Sequence, residues 1–211
     1  MKTRRTVGLW LLPLLCLLMA SCIDSKCPLG DPKTSKADPA LHGVWRMVRD
    51  HGQVEYCHVG VAAGKLPAGT LRLVLVNQNA DGSLDRPGEV LAFPTSLGKN
   101  RYLNVVVTDE DDLERLNKDG WNPKWVQGYF ILKYRIQDDA LTFWNMDQDA
   151  KRRAIEAGKI KGEIGKKDSA IGQSACFTDT PEKLASLLES AESDKLFSKL
   201  PEGMQTYKRM K

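Results

Sequence analysis

The sequence predicts a mainly β protein, an antiparallel barrel or strongly curved sheet of eight to nine strands with about three short helices. Three observations carry that expectation. Short alternating or apolar runs recur from residue 43 almost to the end of the chain, turn-forming residues separate them, and only three stretches carry the caps and spacing of helices.

Taken in order, GVWRMV (43–48) and VEYCHVGV (54–61) flank the turn-forming Asp50-His51-Gly52. GTLRLVLV (69–76) puts Leu71, Leu73 and Leu75 on one face, while Val74 and Val76 share the other with Arg72, so both faces are partly apolar. GEVLAFP (88–94) and RYLNVVVT (101–108) lie on either side of Leu97-Gly98-Lys99-Asn100. GYFILKYRI (128–136) and ALTFWNM (140–146) are joined by Gln137-Asp138-Asp139, where two aspartates suit a tight hairpin. Phe143 and Trp144 are neighbours in that strand and must face opposite sides, one toward a helix and one toward the barrel interior. SACFT (174–178) and GMQTYKRM (203–210) complete the set.

The first helix, Asp109 to Lys118, opens with acids at its positive end and carries Leu113 and Leu116 on one face. The second, Asp147 to Ala157, has Asp147 as N-cap and Gly158 just past its end. Thr180-Pro181-Glu182 caps a third, with Leu184, Leu187 and Leu188 as its apolar stripe.

The stretch LHGVWRM, Leu41 to Met47, resembles the opening strand of lipocalins, in which a Gly-x-Trp closes one end of an eight-stranded barrel. The resemblance implies that Gly43 lets the chain approach closely and that Trp45 fills the barrel floor. It also implies that a late arginine, here Arg209 in TYKRMK, packs over that tryptophan.

The amino terminus predicts an address. Lys2, Arg4 and Arg5 precede a 14-residue uncharged run, Val7 to Ala20, which is too short to span a bilayer and contains Pro13. LMAS then leads to Cys22. This resembles the lipobox of bacterial lipoproteins, with Met19 where leucine is usual. The resemblance implies removal of residues 1–21 and acylation of Cys22. With Ile23 rather than aspartate next in line, it further implies the periplasmic face of the outer membrane. The order of signal, CPLGDP, GVWR and YKR resembles uncharacterised bacterial lipoproteins. Residues 22–40, rich in Pro, Lys, Asp and Ser without an apolar period, are expected to be a flexible tether, leaving 41–211 as a single β-rich domain.

The net charge of +4 dissolves once the three signal cations are set aside, because 31 Lys+Arg fall to 28 against 27 acids. No basic stripe interleaved with aromatics remains, so no nucleic-acid partner is expected. Lys151-Arg152-Arg153 with Lys159, Lys161, Lys166 and Lys167 is interrupted by acids and reads as a solvated face. Three cysteines remain after Cys16 and Cys22, and an oxidising compartment favours one disulfide among them. All three pairings are open. Cys57 with Cys176 would clamp the body and is the expected one, whereas Cys27 would staple the body to the anchor.

Candidate chemistry is sparse. Asn77 to Glu89 spaces oxygen side chains around Gly82 as a calcium loop does, but the bidentate acid would fall on Gly88, and strands flank it, so a polar hairpin loop is expected. Cys57 and His58 are adjacent in a strand and point to opposite faces, which separates thiol from imidazole. The acids 109–112 read as a capped helical turn, and His42, His51 and His58 lack metal-ligand spacing, so neither metal nor cofactor is expected. Trp121 and Trp125 flank a loop-like NPK, where they serve either as an exposed binding surface or as core over the barrel mouth. The expected role is a non-catalytic, membrane-anchored carrier of a small apolar ligand. The alternative is a protein-binding adaptor or inhibitor module of the envelope.

Overall fold

In a computed structural model, residues 23–49, 52–168, 172–198 and 203–210 are described, and Cys22 and the predicted signal lie outside them. The chain forms a closed eight-stranded antiparallel barrel of the lipocalin-like kind, with helices and a hairpin packed on its outer wall.

The barrel strands are β1 (Gly43–Val48), β2 (Val54–Val61), β3 (Leu71–Gln78), β4 (Gly88–Leu97), β5 (Asn100–Val107), β6 (Gly128–Gln137), β7 (Ala140–Trp144) and, after a long insertion, β10 (Met204–Arg209). Each pairs with its neighbour in sequence, and β10 closes the ring between β7 and β1. In the tight β6–β7 turn, Asp138 and Asp139 adopt φ +51° and +59°, the left-handed values that aspartate tolerates.

The insertion holds α2 (Gln148–Glu156), the hairpin β8 (Gly162–Asp168) and β9 (Gly172–Phe177), and α3 (Pro181–Glu189), while α1 (Glu110–Asp119) lies between β5 and β6. Asp109, Asp147 and Thr180 cap the three helices through backbone N–H groups, as their sequence positions predict. The described residues hold ten strands rather than eight or nine. GEIGKKD of β8 has no period to betray it, and its partner β9 belongs to the outer hairpin rather than to the barrel.

Two cores result. Inside the barrel lie Leu71, Leu73, Leu75, Leu103, Phe130 and Phe143 among others. Outside, Leu91, Phe93, Tyr102, Val106, Tyr129 and Ile131 of the same wall pack under the helices and hairpin, meeting Leu116, Phe177, Leu184 and Leu188. Phe143 joins the inner core and Trp144 the outer one, as strand alternation requires.

One end of the barrel, the floor, is sealed. Trp45 is fully buried, its Nε1–H donates to the Leu41 carbonyl at 2.7 Å, and the Arg209 guanidinium lies 4.1 Å from its ring centroid. Arg209 also donates to the carbonyls of His42 and Ala40 at 2.5 and 2.6 Å. Gly43 (φ +129°) is needed here, since a Cβ would sit 2.9 Å from Arg209 Nη1. Asp38 ties the same end by accepting from Tyr134 Oη and Arg101 Nη1 at 2.8 and 3.1 Å.

The expected flexible tether is instead a strap along the outer wall, from Ile23 to Leu41. Asp24 and Ser25 exchange backbone hydrogen bonds with Tyr129, and Lys26 and Asp24 do so with Phe177, so the strap joins β6 to β9. It docks there because β7 is short: its pairing with β6 begins only at Lys133–Trp144, which leaves the start of β6 without a β7 partner. Further along, Leu29 is buried and its N–H donates to Asn104 Oδ1 at 2.7 Å.

The strap's lock is ionic. Asp24 accepts from Lys151 Nζ at 2.6 Å and from the Ile131 N–H at 2.9 Å, with Lys151 fully buried. Lys151 is not on the expected solvated face: its neighbours Arg152 and Arg153 keep partial or full exposure, while α2 turns this one cation inward.

Two outcomes check the floor and the strap. Arg209→Ala removes the cation over Trp45 and two donors, and lowers unfolding stability by about 2 kcal/mol in urea titration, whereas Arg209→Lys recovers less than half. Lys151→Met strands a buried carboxylate and costs about 3–5 kcal/mol, most of it restored by adding Asp24→Asn. Limited trypsin digestion should cleave at Lys26 in the single variant and not in the native chain.

Candidate functional site

β1 runs from the floor upward, so the connections β1–β2, β3–β4 and β5–β6 and the insertion after β7 all lie at the opposite end, the mouth. Between floor and mouth the interior is not filled. A cavity of ≈ 60 Å³ is lined by Leu73, Leu75, Val90, Val105, Phe130 and Phe143, with Arg49, Glu55, Asn145, Gln205 and Tyr207 supplying polar groups. Strand phase explains its apolar walls: these residues share the inward face, and registers such as Leu73–Val90 and Val105–Phe130 set them side by side. Binding pockets for drug-sized molecules run to about 300–1,000 Å³. This one takes only the tip of a slender molecule.

The polar cluster centres on Glu55, which is only 3 % exposed. It occupies the inward phase of β2 with Cys57 and Val59 and accepts hydrogen bonds from Arg49 and the Tyr207 hydroxyl. A carboxylate so placed is tolerable only because a cation and a hydroxyl meet it. Arg49 keeps something in reserve: its Nε is buried and finds no acceptor among the described residues. Glu55 is not among the residues singled out from sequence, although it shares the phase of Cys57 in VEYCHVGV.

Burial, and then the Glu55 charge, push the Cys57 thiol up to about 12 and hold the Tyr207 phenol well above its usual range. Cys57 therefore stays protonated at neutral pH and is no nucleophile. His58 points outward and is exposed, so thiol and imidazole are apart, as alternation predicts.

The expected Cys57–Cys176 disulfide does not form, and Cys27, Cys57 and Cys176 are all free thiols. Cys57 is sealed inside the barrel, while Cys176 lies on the outer hairpin, on the far side of the wall. Trp121 and Trp125 are half-buried against the outer core, Trp121 meeting Phe93 edge-on at 6.0 Å, so they pack rather than present an open surface.

The loop 79–87 spends its oxygens on itself. Ser83 donates to Asp81 and Asn79 donates to Asp85, and the bonds from Ser83 draw the Asp81 carboxyl below its usual range. A larger surface cleft of ≈ 440 Å³ gathers Lys99, Arg101, Lys133 and Arg135 near Trp144 and Phe197. Three of its four cations are engaged: Lys133 with Asp194, Arg101 with Asp38, and Arg135 over Trp144.

The interior gives a pH signature. A thiol raised from 9.0 to about 12 contributes stability that is intact below pH 9.0 and lost as pH climbs toward 12. Urea midpoints measured from neutral pH up to about 11 should fall above pH 9, and Cys57→Ala should make that fall shallower. Tyr207, raised in the same direction, keeps part of the slope in that variant.

No protein-family model, no curated protein and no solved structure matches this chain.

Proposed function

We propose that the chain is a lipid-anchored protein of a bacterial cell envelope, on the periplasmic face of the outer membrane. Its lipocalin-like barrel binds a small, slender apolar molecule without catalysing its conversion. The observation that carries this reading is the cavity in the mouth half, an apolar sleeve ending in a buried polar cluster. Apolar walls with a few convergent polar groups are the general form of a small-molecule site. The leucine and phenylalanine lining takes the slender apolar tip of the molecule, and Arg49, with an uncommitted buried Nε–H, takes a hydrogen-bond acceptor beside it. Cys57 adds no chemistry as a protonated thiol.

The envelope address rests on the sequence: a charged n-region, a short apolar run and LMAS directly before Cys22. The adaptor alternative has less support, because Trp121 and Trp125 pack half-buried against the outer core.

Native mass spectrometry of the protein extracted without delipidation tests the reading. A small apolar passenger should travel with the native chain and be lost in Val90→Phe, which fills the cavity, while circular dichroism shows the barrel intact. A co-purifying polypeptide, or a passenger that Val90→Phe leaves in place, would overturn it.

A further inference from the structure

We infer that the barrel stands mouth-down on the bilayer, so that its cavity opens toward lipid; this rests on the reading of Cys22 as the acylated residue. The strap decides the geometry. Ile23 lies at the mouth: it packs on the barrel's inner core and occupies the space that a side chain on Gly128, the first residue of β6, would need. The next two residues are fixed in place. The Asp24 N–H donates to the Tyr129 carbonyl at 2.9 Å, the Tyr129 N–H donates to the Ser25 carbonyl at 2.8 Å, and Lys151 clamps the Asp24 carboxylate.

Cys22 is one peptide bond from Ile23, a Cα separation of about 3.8 Å. The lipid graft therefore leaves the body at the mouth with almost no slack. The floor lies the length of ten-residue β6 away, about 30 Å. A body on a long flexible leash could turn either end to the membrane; one anchored directly at Ile23 must keep this end near the headgroups.

The rim fits that position. Of the five large apolar side chains exposed among the described residues, Val48 (59 %), Leu84 (65 %) and Met204 (39 %) stand at the end of β1, in the β3–β4 loop and at the start of β10, all at the mouth. Exposed Lys26 and Lys124 stand at the same end, beside the strap and in the β5–β6 connection. Acids such as Glu110 also lie there, so the rim engages lipid through its apolar side chains more than by charge. A ligand drawn from the acyl region can then enter the sleeve without crossing water.

Photocrosslinking tests the orientation. The full-length precursor is matured in cells carrying p-benzoylphenylalanine at Leu84 or at Lys99, the latter exposed in the β4–β5 turn at the floor. Each purified lipoprotein is placed in vesicles of phosphatidylethanolamine and phosphatidylglycerol. Lipid adducts at Leu84 should exceed those at Lys99 by about tenfold, and a flexible Gly-Ser insert of about ten residues between Cys22 and Ile23 should bring the ratio toward one without releasing the protein from the vesicles. Equal adducts at both ends of the native chain, an excess at Lys99, or a ratio unmoved by the insert would overturn the orientation while leaving the anchor standing. An intact mass without acyl groups on Cys22 would instead overturn the anchor, and the orientation with it.

Discussion

The wall formed by β4, β5 and β6 is apolar on both faces, and most of the architecture answers that constraint. Its inner side, with Val90, Ala92, Leu103, Val105 and Phe130, fills the barrel; its outer side, with Leu91, Phe93, Tyr102, Val106, Tyr129 and Ile131, must be covered as well. A bare barrel would leave that outer face as an apolar patch of the size that drives association. The long insertion between β7 and β10, the helix between β5 and β6, and the strap all converge on it. What looks like decoration on a barrel is the second half of a two-layer protein whose shared wall has no wet face.

That double use explains what the sequence reveals. Strand periods are legible because alternation survives where one phase is apolar, as in β3, and because turns such as Asp138-Asp139 carry their own chemistry. The floor is legible through the resemblance of LHGVWRM to an opening lipocalin strand, and the structure supplies the steric and electronic reasons for Gly43, Trp45 and Arg209. The strap is not. Asp24, Ser25 and Leu29 read as part of a polar linker, since each is buried by specific partners distant in sequence rather than by a periodic face. Lys151 hides in the same way: a lysine among basic neighbours is ordinarily solvated, and only the distant carboxylate of Asp24 gives it a reason to turn inward. The candidate site was half legible. The apolar lining follows from strand phase, but the meeting of Arg49, Glu55 and Tyr207 depends on barrel closure, which brings β10 beside β1.

The two ends of the barrel are chemically unlike. At the floor the Arg209 guanidinium meets two carbonyls and the ring of Trp45, which is fully buried. At the mouth a carboxylate, a guanidinium with a spare N–H and a phenol are grouped beside unfilled volume. Close packing is the rule in protein interiors, and voids cost stability. This void is bordered by polar groups and lies in the mouth half of the barrel, which is where the proposed occupant would sit.

The ion pair between Asp24 and Lys151 is best understood through register rather than net stability. Taking both charges out of water costs several kcal/mol per ion, so the pair gains little over two well-packed apolar side chains. An apolar pair, however, would tolerate slippage. A strand that slips by one residue turns every side chain to the other face, and here such a slip would pull Ile23 away from Gly128 and bring a different backbone group opposite Tyr129. A buried cation accepts no such alternative, because any register but one leaves it unpaired beneath the helix. Asp24 satisfies Lys151 and the Ile131 N–H together, two constraints from two elements on one carboxylate. The same lock that holds the strap to the wall thus fixes, to within a residue, where Ile23, the first described residue, sits against Gly128.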